Sequence, residues 1–201
     1  FSSDAIDLVV AMLVRRDPAT IVDFCCGSAK SLVAYCSQKK MGRGVGIDNN
    51  QDIIKEALAN TEKAALHESI KIINVDVRSI DIWGEAVNAD DELVFLACTM
   101  LHEFLKFGDK FVIAFLRKIK NKFSTARLII VEFDGLSFRE MKSCKDAERR
   151  LRTSIYQFWH PFTDQGMPRP EEDWKKIIKA GGWDIGNIVR ARNDLLIYDC
   201  Y

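Results

Sequence analysis

Net charge is the first thing this chain of 201 residues is short of: 29 lysines and arginines cancel 29 aspartates and glutamates. A neutral chain lacks the basic footprint of a nucleic-acid binder. Its one basic run, Arg117 to Lys122, reads as the wetted face of a helix. No apolar stretch reaches membrane-spanning length and no signal peptide is visible, so no membrane partner and a cytoplasmic location are expected. None of the six cysteines, Cys25, Cys26, Cys36, Cys98, Cys144 and Cys200, forms a C-x-x-C pair. They read as small buried hydrophobes in a reducing compartment, not as a disulfide framework or a zinc site. Glycine is sparse where a dinucleotide-binding turn would need G-x-G-x-x-G. Only Gly27 stands in that window, too little to cradle a pyrophosphate. Repeats, low-complexity tracts and linkers are also missing, so 1–201 reads as one domain. Because it opens at Phe1 and not Met, it is expected to be part of a longer chain.

What is present is a globular composition, 48% hydrophobic, and a regular alternation of patterns. Apolar runs bounded by turn residues predict strands at Thr20–Cys25, Val45–Asp48, Ile70–Val75, Leu93–Cys98, Arg127–Phe133, Trp183–Val189 and Leu195–Tyr201. Helices are predicted from Ser3 to about Arg16, stopped by Pro18, and over 30–39, 51–66, two stretches ending near Lys122, a long one over 137–158, and Glu171–Ala180. Met141, Cys144, Ala147 and Leu151 mark the face of the long helix. Strands alternating with helices give an α/β fold, a mostly parallel, doubly wound sheet. The short polar link between the last two strands makes them an antiparallel hairpin.

The stretch "IVDFCCGSAKSL", residues 21–32, puts an acid inside a core strand and small residues directly after it. In doubly wound sheets ligands bind outside the carboxyl ends of the strands, where strand order reverses. Gly27 lets a ligand approach the backbone. Asp48 ends the second strand, 21 positions on, where a carboxylate accepts hydrogen bonds from ribose hydroxyls. Asp76 follows the third strand, beside an adenine-sized pocket. Each feature alone is a turn or a cap; together they describe a nucleoside site, for a ligand without phosphates.

The segments "VDFCCGSAKSL", "GVGIDNN" and "NVDVRSI" resemble the first three motifs of the class I S-adenosylmethionine-dependent methyltransferases. The resemblance implies a Rossmann-like seven-stranded sheet with a C-terminal antiparallel hairpin, and S-adenosylmethionine as cofactor. Asp23 and Gly27 would face its methionine part, Asp48 and Asn49 its ribose, and Asp76 and Val77 its adenine, with Cys98 completing the set. Cys25 and Ala29 stand where that family usually has glycine.

Two further stretches concern the methyl acceptor. "ACTMLHEFL" resembles the L-H-[DE]-[WF] motif of small-molecule methyltransferases that often carry an N-terminal lid or dimerisation domain. In the O-methylating branch that histidine, here His102, is the general base, a role suited to imidazole. "YQFWHPFTDQGMPRPEEDW" resembles a segment of bacterial enzymes that C-methylate 2-oxo acids and of metal-dependent methyltransferase domains in polyketide synthases. That resemblance implies a mononuclear metal, iron or manganese, held by His102, His160 and Gln165. Glu103 and Asp164 would orient a ligand, act as base or bind the metal. The leading expectation is therefore metal-assisted C-methylation alpha to a carbonyl, on a 2-oxo acid or a carrier-bound acyl thioester, in natural-product biosynthesis. The alternatives are metal-free O-methylation with His102 as base, and a domain that binds the nucleoside without catalysis. Phe158, Trp159 and Phe162 read as core or as walls of an apolar pocket, and His67 as solvated.

Overall fold

The computed structural model describes residues 3–39, 41–88, 91–163, 165–192 and 194–201. Five apolar runs become parallel strands: β1 (Thr20–Phe24), β2 (Arg43–Asp48), β3 (Ile70–Asn74), β4 (Leu93–Cys98) and β5 (Arg127–Phe133). The C-terminal hairpin adds β6 (Ile185–Arg190) and β7 (Leu195–Cys200), both antiparallel to their neighbours. The sheet order is β3-β2-β1-β4-β5-β7-β6. This is the expected seven-stranded, mostly parallel sheet, with its reversal of strand order between β1 and β4.

Parallel strands are covered on both faces, and alternate residues feed separate cores. Phe24 and Phe95 stack at 5.2 Å and meet Trp83, Phe115 and Phe123 on one face, under α4 (Ile80–Trp83) and α6 (Asp109–Lys122). Ile21, Val94, Leu96 and Ile129 face the other way, against α1 (Ser3–Arg16), α2 (Lys30–Gln38) and α3 (Gln51–Lys63). Full burial of each such side chain stabilises by about 1.5–3 kcal/mol. At the third helix the chain enters through Asn50, whose side chain accepts from the amides of Asp52 and Ile53. All six cysteines are free.

One predicted element is corrected. The long helix over 137–158 is two helices, α7 (Phe138–Ser143) and α8 (Ala147–Trp159). Ser137 and Glu140 form a capping box on the first, and Asp146 caps the second by accepting from the Arg149 amide at 3.0 Å. That cap competes successfully with continuation through Cys144. The expected apolar face is corrected with it: Leu151 is 61% exposed, and Phe158, Trp159 and Phe162 are also exposed and not in the core. The remaining short helix after β4 is α5 (Leu101–Phe104), and α9 (Glu171–Ala180) precedes the hairpin.

Candidate active site

The turn after β1 is strained in a way its sequence does not favour. Cys25, Gly27 and Ala29 all have positive φ, at 53°, 54° and 59°, a region that only glycine adopts freely. The β2 carboxylate holds this turn closed. Asp48 Oδ2 accepts from the Gly27 amide at 3.0 Å and Oδ1 from the Asn50 amide at 2.9 Å. Space beyond Gly27 is open, with nothing within 4 Å of where a Cβ would project. Asn49 is exposed at the tip. Asp76, two residues beyond β3, is bound by the Arg78 guanidinium, which holds its carboxyl below the usual range. Buried Val77 turns its carbonyl to the Trp83 indole, 2.7 Å away.

Asp23 is the next-to-last residue of β1, level with Gly46 and Leu96 on the flanking strands, and 3% exposed. Burial, with the Asp48 charge adding, pushes its carboxyl up to about 8. Cys25, two residues on, lies near these acids. Desolvation there, then the charges of Asp48, Glu103, Asp23 and Asp76, push its thiol up to about 12. Four carboxyl groups, of Asp23 in β1, Asp48 in β2, Asp76 after β3 and Glu103 in α5, thus act on one thiol. Cys98, at the end of β4, stands between the acids of two strands: burial, then Asp23 and Glu132, raise its thiol. Thr99 follows with φ 49°, rare for a β-branched residue, and lines the adjoining cavity.

That cavity has a volume of 560 Å3 and brings His102, Glu103, His160 and Gln165 together. Glu132, in β5 and fully buried, organises it. Its Oε1 accepts from the amides of Leu101 and His102 at 2.7 and 3.2 Å, and its Oε2 lies 2.8 Å from His102 Nδ1. A carboxylate is an acceptor, so Nδ1 carries the hydrogen and Nε2 the lone pair. Burial opposes charge on this ring, but the charge and hydrogen bond of Glu132, with Glu103 adding, raise its pKa above that of an ordinary histidine. His160 stands edge-on to His102, ring centroids 5.1 Å apart. Its Nδ1 meets the Tyr156 carbonyl at 2.6 Å, while its buried Nε2 has no partner among the described residues. Burial, and then the nearby His102, lower its pKa. The Gln165 backbone N–H donates to the His160 carbonyl at 3.0 Å.

The site residues expected from the sequence therefore fall in two adjoining places. Asp23, Gly27, Asp48 and Asp76 gather at the strand ends, and His102, Glu103, His160 and Gln165 line the cavity beside them. His67 is exposed, as expected, and Asp164 lies outside the described residues. Glu132 was missed, although its signal, an acid inside the apolar run "LIIVEF", is the one that drew attention to Asp23. Tyr156 and Arg152, also on the cavity wall, gave no comparable signal. No group of three or more His, Cys, Asp and Glu side chains among the described residues could hold a metal ion, so a metal here would need the Gln165 amide beside the two imidazoles. No helix among the described residues is long and apolar enough to cross a membrane.

No family model matches the chain. Solved structures do resemble it. An O-methyltransferase family protein from Burkholderia thailandensis matches with a TM-score of 0.72 at 11% identity, over 98% of this chain and 54% of that one. N,N-8-amino-8-demethyl-D-riboflavin dimethyltransferase (RosA) from Streptomyces davawensis gives 0.71 at 16%, over 98% and 53%. The mitomycin 7-O-methyltransferase MmcR gives 0.70 at 17%, over 98% and 54%. The chain spans just over half the length of each. What it shares with these methyltransferases is their fold, an α/β seven-stranded sheet closed by an antiparallel hairpin.

Proposed function

We propose that the chain is the catalytic domain of an S-adenosylmethionine-dependent methyltransferase acting on a hydroxyl of a small molecule. The observation that carries this reading is the buried His102–Glu132 pair, opening on a cavity beside the acid-lined turn. The cofactor fits that turn chemically. Asp23, Gly27, Asp48 and Asp76 would hold it, and Asp48 at the turn with Glu103 opposite suits a sulfonium cation better than a phosphorylated nucleoside. When bound, S-adenosylmethionine supplies an electrophilic methyl, its sulfur leaving with the electron pair of the broken C–S bond. His102 takes the acceptor proton at Nε2 as the acceptor oxygen becomes an ether. Glu132 fixes the tautomer and stabilises the imidazolium that results. Placement of the two reactants supplies the rest of the acceleration. The solved structures of this fold include methyltransferases acting on oxygen, which favours the hydroxyl over a carbon acceptor.

The test is calorimetry with S-adenosylmethionine and its demethylated product, followed by methyl transfer to a panel of hydroxylated acceptors. Both nucleosides are expected to bind, and His102→Ala to lose about 10²–10⁴-fold in turnover while still binding cofactor. Failure of either nucleoside to bind would remove the reading and leave a non-catalytic domain.

The unpartnered, buried Nε2 of His160 favours a second reading, metal-assisted C-methylation alpha to a carbonyl. His102, His160 and Gln165 would hold the ion, with Glu132 supporting His102 from behind. Iron or manganese there would act as a Lewis acid that stabilises an enolate. Elemental analysis of protein purified without a histidine tag separates the two. One iron or manganese per chain, lost in His160→Ala, supports this reading; metal-free protein that methylates hydroxyls supports the first.

A further inference from the structure

We propose that the acceptor is a 1,2-dihydroxyarene, and that His160 accepts a hydrogen bond from the hydroxyl next to the one that is methylated. The proposal rests on the first reading above and adds the class of acceptor.

Both imidazoles on the cavity wall are held through Nδ1. His102 Nδ1 gives its hydrogen to the Glu132 carboxylate at 2.8 Å, and His160 Nδ1 gives its own to the Tyr156 carbonyl at 2.6 Å. A neutral imidazole with its hydrogen on Nδ1 carries a lone pair on Nε2. The two rings therefore bring two acceptors to one cavity, and neither Nε2 has a protein partner among the described residues. His160 is only 4% exposed, and a buried acceptor without a donor costs free energy. Glu103, on the same wall, adds carboxylate oxygens that accept from none of the described residues. Thr99 and Gln165, also on the wall, can accept or donate. Unmatched acceptors thus surround the place where His102 takes a proton, and a ligand that satisfies them brings more than one donor.

The ring positions set the spacing of those donors. The imidazoles lie edge-on at 66°, centroids 5.1 Å apart. Hydroxyls on adjacent carbons, their oxygens about 3 Å apart and each hydrogen bonding over about 2.8 Å, bridge nitrogens on rings so placed. Phe133 lies 5.9 Å from His102 and Tyr156 lies 4.9 Å from His160, centroid to centroid, which favours an aromatic diol over a sugar. In the reaction His102 takes the proton of one hydroxyl as its oxygen bonds to the methyl carbon and the C–S bond breaks. The neighbouring hydroxyl keeps its proton and donates to His160. The product has one hydroxyl and one ether oxygen, so it cannot donate to both nitrogens, and a second methylation is disfavoured.

A diol would also chelate a metal held by the same imidazoles, so the test uses chelator-treated protein preloaded with the demethylated cofactor. Calorimetry compares 4-methylcatechol with 4-methylphenol and with 2-methoxy-4-methylphenol. The diol is expected to bind about tenfold more tightly than either, the difference that one hydrogen bond makes. His160→Phe should bring diol and phenol level, and His160→Gln, which keeps an acceptor, should restore part of the difference. In turnover with S-adenosylmethionine, kcat/KM for the methoxyphenol should be about tenfold or more below that for the diol. The wild-type comparison of ligands does not depend on how a variant folds. A phenol that binds as well as the diol, an unchanged preference in His160→Phe, no binding by the diol, or a preference that returns only with added iron or manganese overturns the proposal. Failure of the methyltransferase reading shows separately, as failure of the cofactor to load.

Discussion

Two acids lie inside core strands, and their surroundings treat them oppositely. Glu132 is satisfied by two amides and an imidazole. Asp23 is buried next to Asp48, and its carboxyl is pushed up to about 8. In the unfolded chain it titrates near 3.9. Its folded-state pKa is raised, so the folded protein holds the proton more tightly. Its contribution to stability is complete below about pH 4, declines as the unfolded chain ionises, and is gone once pH passes about 8. Asp23→Asn has no such titration. Urea unfolding of both proteins at several pH values from about 5 to about 8 should show the variant gaining on the wild type as pH rises. A wild type that gains on the variant over that window would mean that Asp23 is ionised in the fold.

Elements were legible where one local pattern decided them. The strands are short apolar runs closed by turns, and the seven were found in place because burial on both faces leaves little else for such runs to do. Asp48 and Asp76 were legible for a related reason: a position at or just past a strand end fixes a place in the fold. The break between α7 and α8 was not, because the apolar period runs on through Met141, Cys144, Ala147 and Leu151 while the Asp146 cap opposes it. The α8 helix also inverts the usual amphipathic logic. Leu151 and Phe158 face outward, while Arg152, Ile155, Tyr156 and His160 line the cavity. Glu132 and His102 are 30 residues apart, and only the pairing of β4 with β5 reveals them as a unit. Gly166 shows the same limit. A Cβ there would lie 2.2 Å from the His102 carbonyl oxygen, so the loop carrying Gln165 must press against α5, a contact that no sequence pattern announces.

At the scale of the molecule, the cavity depends on one residue that joins four distant segments. Asp134, 5% exposed just past β5, binds Arg149 of α8 and Arg190 of β6, and accepts from the Glu171 amide at the start of α9 at 3.0 Å. Its own amide donates to the Asp194 carbonyl before β7 at 2.7 Å. Removing a buried partner leaves the guanidiniums uncompensated, which costs about 3–5 kcal/mol when the pair is wholly buried. Arg149 and Arg190 retain 25% and 47% exposure, so water offsets part of this. Asp134→Ala should lose about 2–4 kcal/mol, and at roughly 2–4 °C per kcal/mol for a chain of this size its Tm should fall by roughly 5–15 °C. Because α8 brings His160, Tyr156 and Arg152 to the cavity, the loss should also be local. Amide hydrogen exchange across 147–159 should quicken in the variant well below its Tm, while exchange in β1 and β4 holds. A fall in Tm with α8 exchange unchanged would mean that Asp134 stabilises the fold as a whole without fastening the helix that walls the cavity.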